Sequence, residues 1–255
     1  MAIVTGAGKG VGQGIARVLA EAGATVVGTA RTEADIVATI EGIENSGGKG
    51  LALVADAISR PDGERVVNTT MDRFGRIDIL INNVGGSTFG SFLDITDEDF
   101  RHTFDWCVTS AFIMSQLAAR HMIEAGHGNI VNISSGSARF GIRALTAYCV
   151  AKGGLEALTR AMAQELAPKI RVNAIALGSF ATEGLQSGLD MMPGGIGHDA
   201  LAHAAASTRR RRGPRPALRL PVDQGLLRDQ RGLPRRRRHR LEQPAAAHTR
   251  LLIEA

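Results

Sequence analysis

The 255-residue sequence is poor in cysteine and has no long apolar run. Its two cysteines, Cys107 and Cys149, are too few for a disulfide framework, which is compatible with a reducing compartment. No apolar stretch approaches the length of a membrane span, and no charged segment followed by an apolar one indicates a signal peptide. These absences predict a cytoplasmic protein. Because the first apolar run starts at once, at 2–5, we expect the N-terminal strand to be clipped by several residues.

Lysine and acidic residues are scarce in the last fifth of the chain. Residues 204–255 contain fourteen arginines, four acidic residues and no lysine, which gives a net charge of +10. Residues 1–203 carry 16 basic and 21 acidic residues, which gives a net charge of −5. The basic character of the chain therefore belongs to the tail, and steering toward nucleic acid is not a property of the larger segment.

Apolar runs of strand length alternate with helical patterns through the first part of the chain. Near-continuous apolar strands are typical of a parallel sheet that helices bury on both faces. The pattern predicts one α/β domain with a Rossmann-like doubly wound parallel sheet, whose ligands bind at the carboxyl ends of the strands. Strands are predicted at 2–5, 25–29, 50–54, 77–81, 129–133 and 170–175, and helices after the first strand and near 33–45, 61–74, 96–125 and 147–167.

A glycine-rich turn follows the first strand and precedes the first helix. Gly6, Gly10 and Gly12 let the backbone turn tightly and approach a ligand closely. Lys9 and Val11 lie between these glycines. The free N–H groups at the start of the helix favour an anion such as a pyrophosphate. Any tight turn can need glycine, but the strand–turn–helix context favours phosphate binding.

Tyr148 and Lys152 carry the most chemical information. Tyr148 is the only tyrosine and Lys152 is one of four lysines. Their spacing of four residues places them on one face of a predicted helix. An ammonium group nearby favours the phenolate, so the pair predicts a lowered pKa for Tyr148 and a general acid/base role. By itself, such a pair also occurs on solvated helix faces.

Over residues 2–203 the chain resembles the short-chain dehydrogenase/reductase family. The resemblance rests on TGAGKGVG at 5–12, Asp56 after the third strand, NNVGG at 82–86, NISS at 132–135, YCVAK at 148–152 and IRVNAIALGSFAT at 170–182. It implies hydride transfer between a nicotinamide dinucleotide and an alcohol or ketone. The motifs are most similar to those of bacterial hydroxysteroid-dehydrogenase-like and 3-oxoacyl-reductase-like members.

The resemblance also implies a role for each matching residue. Tyr148 would be the acid/base, Lys152 would lower its pKa and bind the nicotinamide ribose, and Ser135 would hydrogen-bond the substrate oxygen. Further cofactor contacts are implied for Asp56 at the adenine, for Asn83 and Gly85 near the central strands, and for Thr182 at the nicotinamide carboxamide. No metal site is predicted.

Two residues depart from the family pattern. Cys107 stands where the family usually has an asparagine that anchors a water of the proton relay, and a thiol is a weak hydrogen-bonding group. Leu177 precedes Gly178 where proline is usual, which we expect to change the stiffness of the loop. The first departure predicts a weakened relay.

The end of the second predicted strand bears on the choice between NAD and NADP. An acidic residue there would bind the ribose 2′-hydroxyl of NAD, but the segment reads Thr29-Ala30-Arg31. Arg31 can form a charge-assisted pair with a 2′-phosphate, and Lys9 adds a second cation. Both could also be solvated surface charges. The sequence favours NADP, with NAD as the alternative.

The arginine-rich segment lacks the helix, last strand and D-G-G phrase with which the family normally ends. We therefore predict a catalytic domain at 1–203, without its last strand, and a separate tail at 204–255. One interpretation of the tail is an arm for RNA or DNA, but the tail has no aromatic residue on which a base could stack, and nucleic-acid binding is not favoured. Another is an ordinary disordered tail. We favour a shift of reading frame, because HAAASTRRRRGPRPA, from residue 203, can be read one base out of frame as a family-like T-P-x-R-R-x-G phrase.

The sequence leaves three functions open. The first is an NADP(H)-dependent oxidoreductase that acts on an alcohol or ketone through Ser135, Tyr148 and Lys152. The second is a degenerate dinucleotide-binding protein with weak or no turnover, and the third is an arginine-arm nucleic-acid binder. The substrate is not defined, because its specificity loop is expected around 183–203. The resemblance implies a homodimer or homotetramer, which the aberrant C-terminus would weaken.

Overall fold

The computed structural model describes residues 1–178, in which six strands alternate with six α-helices. The strands are β1 (Ala2–Thr5), β2 (Thr25–Ala30), β3 (Lys49–Val54), β4 (Ile79–Asn82), β5 (Gly128–Ser135) and β6 (Ile170–Leu177). The helices are α1 (Gly10–Glu21), α2 (Glu33–Asn45), α3 (Arg60–Phe74), α4 (Asp97–Phe104), α5 (Ser110–Ala125) and α6 (Thr146–Leu166). The predicted strands are all present, and the helical predictions hold within a few residues.

All six strands are parallel, in the order β3-β2-β1-β4-β5-β6. The chain moves outward from β1 to β3 and then returns to place β4 on the other side of β1, so the switch point lies between β1 and β4. Ligands of such sheets bind in the crevice at the carboxyl ends of these two strands. The sheet is the Rossmann-like doubly wound sheet that the sequence predicts. The prediction that a further strand is missing concerns residues outside the described range.

Helices cover both faces of the sheet. Alternate residues of a strand point to opposite faces. Ala2 and Val4 accordingly pack with apolar residues of α1 and α2, while Ile3 packs with residues of α3 and α5. All four residues of β1 are buried, which explains why its sequence is apolar rather than alternating. Within residues 1–178, no helix has the length and apolar character needed to cross a membrane.

The predicted helical segment at 96–125 is confirmed, but it contains an irregular turn that the sequence did not indicate. The backbone passes from α4 through a π-helical turn, Asp105–Thr109, into α5. Such turns insert an extra residue into a helix and are frequent at functional sites. This turn contains Trp106 and Cys107, both of which contact the loop that follows β4. Hydrophobic periodicity cannot show one inserted residue, because the apolar residues on either side keep their helical spacing.

Candidate active site

The glycine turn between β1 and α1 has the geometry of an anion-binding loop. Gly6 and Gly10 adopt positive φ angles of 64° and 56°, which disfavour other residues. A Cβ atom at Gly12 would collide with the carbonyl oxygen of Gly6, whereas one at Gly10 would meet only open space. Lys9 precedes α1 and its side chain makes no capping hydrogen bond, so the N–H groups at the helix start remain available to an anion.

Asn83 ties this turn to the end of β4. Its Nδ2 donates hydrogen bonds to the carbonyl oxygens of Thr5 and Gly6, both at 3.1 Å, and its backbone N donates to Thr5 Oγ1 at 3.1 Å. Gly85, two residues further on, lies where a side chain would not fit easily. A Cβ atom there would lie 3.0 Å from Lys152 Nζ and 3.1 Å from Cys107 Sγ.

Arg31 and Asp56 line one cavity at the carboxyl ends of β2 and β3. This cavity, which we call the β2–β3 pocket, has a volume of about 480 Å³ and is lined by Arg31, Val54, Ala55, Asp56, Asp62 and Arg65. Asp56 Oδ1 accepts a hydrogen bond from the backbone N of Ile58 at 3.2 Å, which fixes its carboxylate in the turn. The structure thus brings together two residues that the sequence assigns to cofactor binding.

Lys9 and Arg31, the two cations that the sequence offers to a 2′-phosphate, have different surroundings. Lys9 Nζ lies 3.4 Å from Asp35 Oδ2, so an adjacent carboxylate already balances its charge. Arg31 forms no salt bridge with any residue in the described range 1–178. Of the two, Arg31 is therefore the better placed to pair with an added anion.

Tyr148, Lys152 and Ser135 lie together where β5 ends and α6 begins. Lys152 Nζ lies 5.5 Å from the centroid of the Tyr148 ring and donates a hydrogen bond to the carbonyl oxygen of Ile133 at 2.8 Å. The Ser135 side chain lies close enough to Tyr148 to lower its pKa, and its Oγ accepts a hydrogen bond from the backbone N of Ser137 at 3.2 Å. The single helical turn between Tyr148 and Lys152 brings both groups to one point, as their spacing predicts.

The predicted direction of the Tyr148 pKa shift is wrong. Burial raises the pKa of Tyr148 to about 12, and the effect of burial, to which Cys107 adds, outweighs the lowering caused by Ser135. Lys152 does not reverse this rise, because its ammonium group lies over the ring and donates to the carbonyl of Ile133. Lys152 is itself only 3% exposed, and burial lowers its pKa. The phenol therefore keeps its proton at neutral pH.

Cys107 is fully buried beside this group. Its Sγ donates a hydrogen bond to the carbonyl oxygen of Gly86 at 3.4 Å. Burial raises the pKa of Cys107, while the nearby Lys152 opposes the rise. The position that the resemblance assigns to an asparagine thus holds an uncharged thiol at neutral pH, with its hydrogen directed at a backbone carbonyl.

A buried polar network beneath the site was not predicted. Asn82 Nδ2 donates to Ser115 Oγ at 2.9 Å and to Asn132 Oδ1 at 2.8 Å, and Asn132 Nδ2 donates to Thr159 Oγ1 at 2.8 Å. These bonds join β4, β5, α5 and α6 directly below the crevice. The sequence signal for this network is the pair of asparagines within apolar strands, because a buried amide requires hydrogen-bond partners.

Three exposed apolar side chains belong to two segments that meet just before α6. Phe140, in the segment between Ser135 and Tyr148, is 70% exposed, and Phe92 and Leu93 are 73% and 89% exposed. The two segments meet where the backbone N of Gly90 donates to the carbonyl oxygen of Ala144 at 3.1 Å. Ala144 has a φ of 61°, a strained conformation for a residue with a side chain. We call Phe92, Leu93 and Phe140 the apolar rim.

Some predictions fall outside the described residues. These are the cofactor contact of Thr182, the specificity loop at 183–203 and the tail at 204–255. Among residues 1–178, no cluster of three or more His, Cys, Asp or Glu side chains could hold a metal ion.

The fold and the site define a Rossmann-like α/β protein whose polar groups gather at the switch point of a parallel sheet. The family model described as short chain dehydrogenase matches residues 1–192. The chain belongs to this family, which is a family of oxidoreductases. The matched region ends before the arginine-rich segment at 204–255.

Individual relatives agree with this assignment. The chain is 39% identical over 186 residues to an uncharacterized oxidoreductase of Methylorubrum extorquens, covering 72% of this chain and 74% of that protein. It is 36% identical over 185 residues to the 3-oxoacyl-[acyl-carrier-protein] reductase FabG of Vibrio harveyi, covering 72% and 74%. Its fold matches, with a TM-score of 0.69 and 33% identity, a 7α-hydroxysteroid dehydrogenase complexed with NADH and 7-oxo glycochenodeoxycholic acid, covering 81% of this chain and 88% of that one.

Proposed function

We propose that the protein is an NADP(H)-dependent oxidoreductase that interconverts a ketone and an alcohol through Ser135, Tyr148 and Lys152. The observation that carries the proposal is the grouping of these three side chains at the carboxyl end of β5, with Lys152 Nζ 5.5 Å from the Tyr148 ring. A hydroxyl, a phenol and an ammonium group at one point can stabilise and protonate a developing alkoxide.

The residues of the crevice fit a dinucleotide. The backbone at Gly6, Gly10, Val11 and Gly12 leaves an uncapped helix start facing open space, which suits a pyrophosphate. Asn83, Gly85, Arg31 and Asp56 continue this surface along the carboxyl ends of the strands, and Tyr148 and Lys152 would contact the nicotinamide ribose. When bound, the nicotinamide supplies or accepts the hydride.

The surroundings of Tyr148 favour proton donation. Because its pKa is raised to about 12, the phenol is protonated at neutral pH and can donate its proton to a carbonyl oxygen that becomes an alkoxide. Ser135 would donate a second hydrogen bond to the same oxygen. Lys152 would supply a fixed positive charge from below, held by the carbonyl of Ile133. In the reverse direction the phenolate must form first, so alcohol oxidation should accelerate as the pH rises.

Arg31 supports a preference for NADP. It has no carboxylate partner within residues 1–178, and it lines the β2–β3 pocket, where a guanidinium group could pair with a 2′-phosphate. Lys9, which Asp35 already neutralises, would contribute less. NAD remains the alternative cofactor.

The apolar rim favours a substrate with a substantial apolar body. Phe92, Leu93 and Phe140 would cover apolar surface next to the reacting oxygen, and that burial would stabilise binding. Two relatives have names that fit this reading, a 3-oxoacyl reductase and a hydroxysteroid dehydrogenase. We therefore expect bulky cyclic or long-chain ketones to be better substrates than small polyhydroxylated ones.

We further propose that residues 1–203 form the catalytic domain and that 204–255 are not part of it, a tail best explained by a shifted reading frame. The nucleotide sequence tests this directly, because an unshifted frame with no family-like phrase in either alternative frame would contradict it. The family suggests a cytoplasmic homodimer or homotetramer.

The function is tested by incubating the purified full chain with NADPH or NADH and a panel of ketones, and by measuring cofactor oxidation and alcohol formation. We expect turnover with NADPH and a bulky apolar ketone. A thermal shift with NADPH but no turnover on any ketone would favour a degenerate binding protein, which Cys107 makes the strongest alternative. Salt-sensitive RNA binding that is lost on deleting 204–255 would favour the arginine-arm interpretation.

A further inference from the structure

Trp106, the only tryptophan, links the cofactor end of the crevice to the loop after β4. Its six-membered ring packs so closely on Gly86 that a Cβ atom at Gly86 would overlap it. The Arg31 Cζ atom lies 5.7 Å from the centroid of the Trp106 ring, and the His102 ring lies 5.7 Å from it at an angle of 35°. The Trp106 ring therefore packs on Gly86 and also contacts the guanidinium group of Arg31.

Within residues 1–178, the cation–π contact with Trp106 is the one contact that involves the charge of Arg31. Arg65, the other arginine of the β2–β3 pocket, donates to the carbonyl of Val54 at 2.6 Å and to Asp62 Oδ1 at 2.8 Å, which fixes its position. Arg31 is exposed and has no salt bridge within residues 1–178. Without the indole, its long side chain would be free to sample many rotamers in solvent.

A cation–π contact uses the guanidinium differently from a salt bridge. The aromatic ring attracts the cation without accepting its N–H groups in the plane of the guanidinium. The donors of Arg31 consequently stay available for a planar, two-point interaction with phosphate oxygens. A carboxylate partner, such as Asp35 provides for Lys9, would instead compete with the phosphate for the same charge.

We propose that Trp106 is a positioning residue that holds Arg31 for recognition of the 2′-phosphate, so that the preference for NADP over NAD depends on Trp106 as well as on Arg31. The proposal rests on the proposed function, in which Arg31 contacts that phosphate. It makes the π-helical turn a part of cofactor selection, since this turn presents Trp106 to Arg31 and Cys107 to Lys152 at adjacent positions.

The test uses two nucleotides that differ in the 2′-phosphate, adenosine 2′,5′-bisphosphate and AMP, with affinities measured by calorimetry on the full-length protein. Trp106→Leu should weaken binding of the bisphosphate about fivefold, within the range of a cation–π contact, and should change AMP binding less than twofold. Trp106→Phe should retain most of the preference, because an aromatic face remains. Phe112→Leu, at an exposed aromatic position of α5, is the matched control and should change neither affinity.

Arg31→Leu separates this inference from the proposed function. If Arg31→Leu leaves the preference for the bisphosphate unchanged, the assignment of the 2′-phosphate to Arg31 is wrong. If Arg31→Leu removes the preference but Trp106→Leu keeps it, only the role of Trp106 is wrong. Should Trp106→Leu fail to fold, the fluorescence of the single tryptophan decides. Arg31→Leu must then alter the emission of Trp106, and unchanged emission would contradict the contact.

Discussion

The two ends of the crevice are built in different ways. At one end, Tyr148 and Lys152 project from α6 next to Cys107. Cys107 and Lys152 are almost fully buried. At the other end, Arg31 is exposed, and it depends on a single aromatic contact and an open pocket. The buried end can control protonation, because desolvation there dominates pKa values. The open end can only control the position of a charge that is always present.

This difference predicts that substitutions at the two ends act on different measurements. Changes around Tyr148 should alter turnover and its pH dependence while leaving nucleotide affinity in place. Changes around Arg31 should alter the choice of nucleotide and leave the proton chemistry in place. The predictions below either separate the two ends or show that they act as one unit.

Tyr148→Phe should have the largest effect. Removing the hydroxyl deletes the proton donor but keeps the ring against Lys152, so turnover should fall by about 10² to 10⁴. NADPH affinity, measured by calorimetry, should stay within about threefold of the parent value, because the aromatic ring remains and most of the proposed nucleotide contacts lie elsewhere. A variant that retained more than a tenth of the parent activity would remove Tyr148 from its proposed role.

Two adjacent glycines provide the sharpest separation of the ends. The methyl group of Gly85→Ala would lie 3.0 Å from Lys152 Nζ and 3.1 Å from Cys107 Sγ, so we expect kcat to fall about tenfold to a hundredfold. The methyl group of Gly86→Ala would overlap Trp106, so we expect the preference for NADPH over NADH to fall by about fivefold.

Both glycine variants are compared by kcat, by the two nucleotide affinities and by thermal denaturation, which reports any loss of folded protein. If both variants changed kcat and nucleotide preference equally, the two ends would behave as one unit and the comparison would fail.

Cys107→Asn should raise turnover. An asparagine side chain both donates and accepts strong hydrogen bonds, so it can hold a water near Lys152 that a thiol holds poorly. We expect a gain in kcat of roughly tenfold, within the range of general acid/base contributions. The control is Cys149→Asn, which lies next to Tyr148 in the chain but whose thiol is directed at the carbonyl oxygen of Phe140. Equal kcat for the parent and Cys107→Asn would mean that another step limits the rate.

Lys9→Ala should have the smallest effect. Asp35 already pairs with Lys9 at 3.4 Å, and exposed ion pairs of this kind contribute little, so we expect less than about a twofold change in the NADPH/NADH ratio of kcat/KM. Arg31→Asp, by comparison, should move the preference clearly toward NADH. Asp35→Asn is the informative partner, since it releases the charge of Lys9 and should raise the preference for NADPH. If Lys9→Ala lost as much of the preference for NADPH as Arg31→Asp, both cations would act together.

The same contrast explains which features the sequence could predict. The alternation of strands and helices, the glycine turn and the meeting of Tyr148 with Lys152 follow from apolar periodicity and short residue spacings, which are local properties. The Asp35–Lys9 pair and the Arg31–Trp106 contact join residues from different elements at the surface. No local pattern specifies them, because exposed side chains have many rotamers of similar energy.

The direction of the Tyr148 pKa shift escaped prediction for a related reason. Spacing shows that an ammonium group is near, but it does not show how deeply both groups are buried. Spacing also does not show that the Ile133 carbonyl oxygen accepts a hydrogen bond from Lys152. Desolvation depends on every element packed around the site and therefore needs the structure.

Ultraviolet titration of the single tyrosine tests most directly the claim that burial keeps the phenol protonated. With a pKa of about 12 in the folded protein against about 10 when unfolded, ionisation should be suppressed while the fold persists. The raised pKa contributes stability that is fully present below the unfolded value and is lost as the pH rises toward the folded value. Circular dichroism recorded alongside should therefore show the fold intact with no phenolate absorbance up to about pH 10. Reversible ionisation between about pH 6 and 9 with the fold intact would contradict the account.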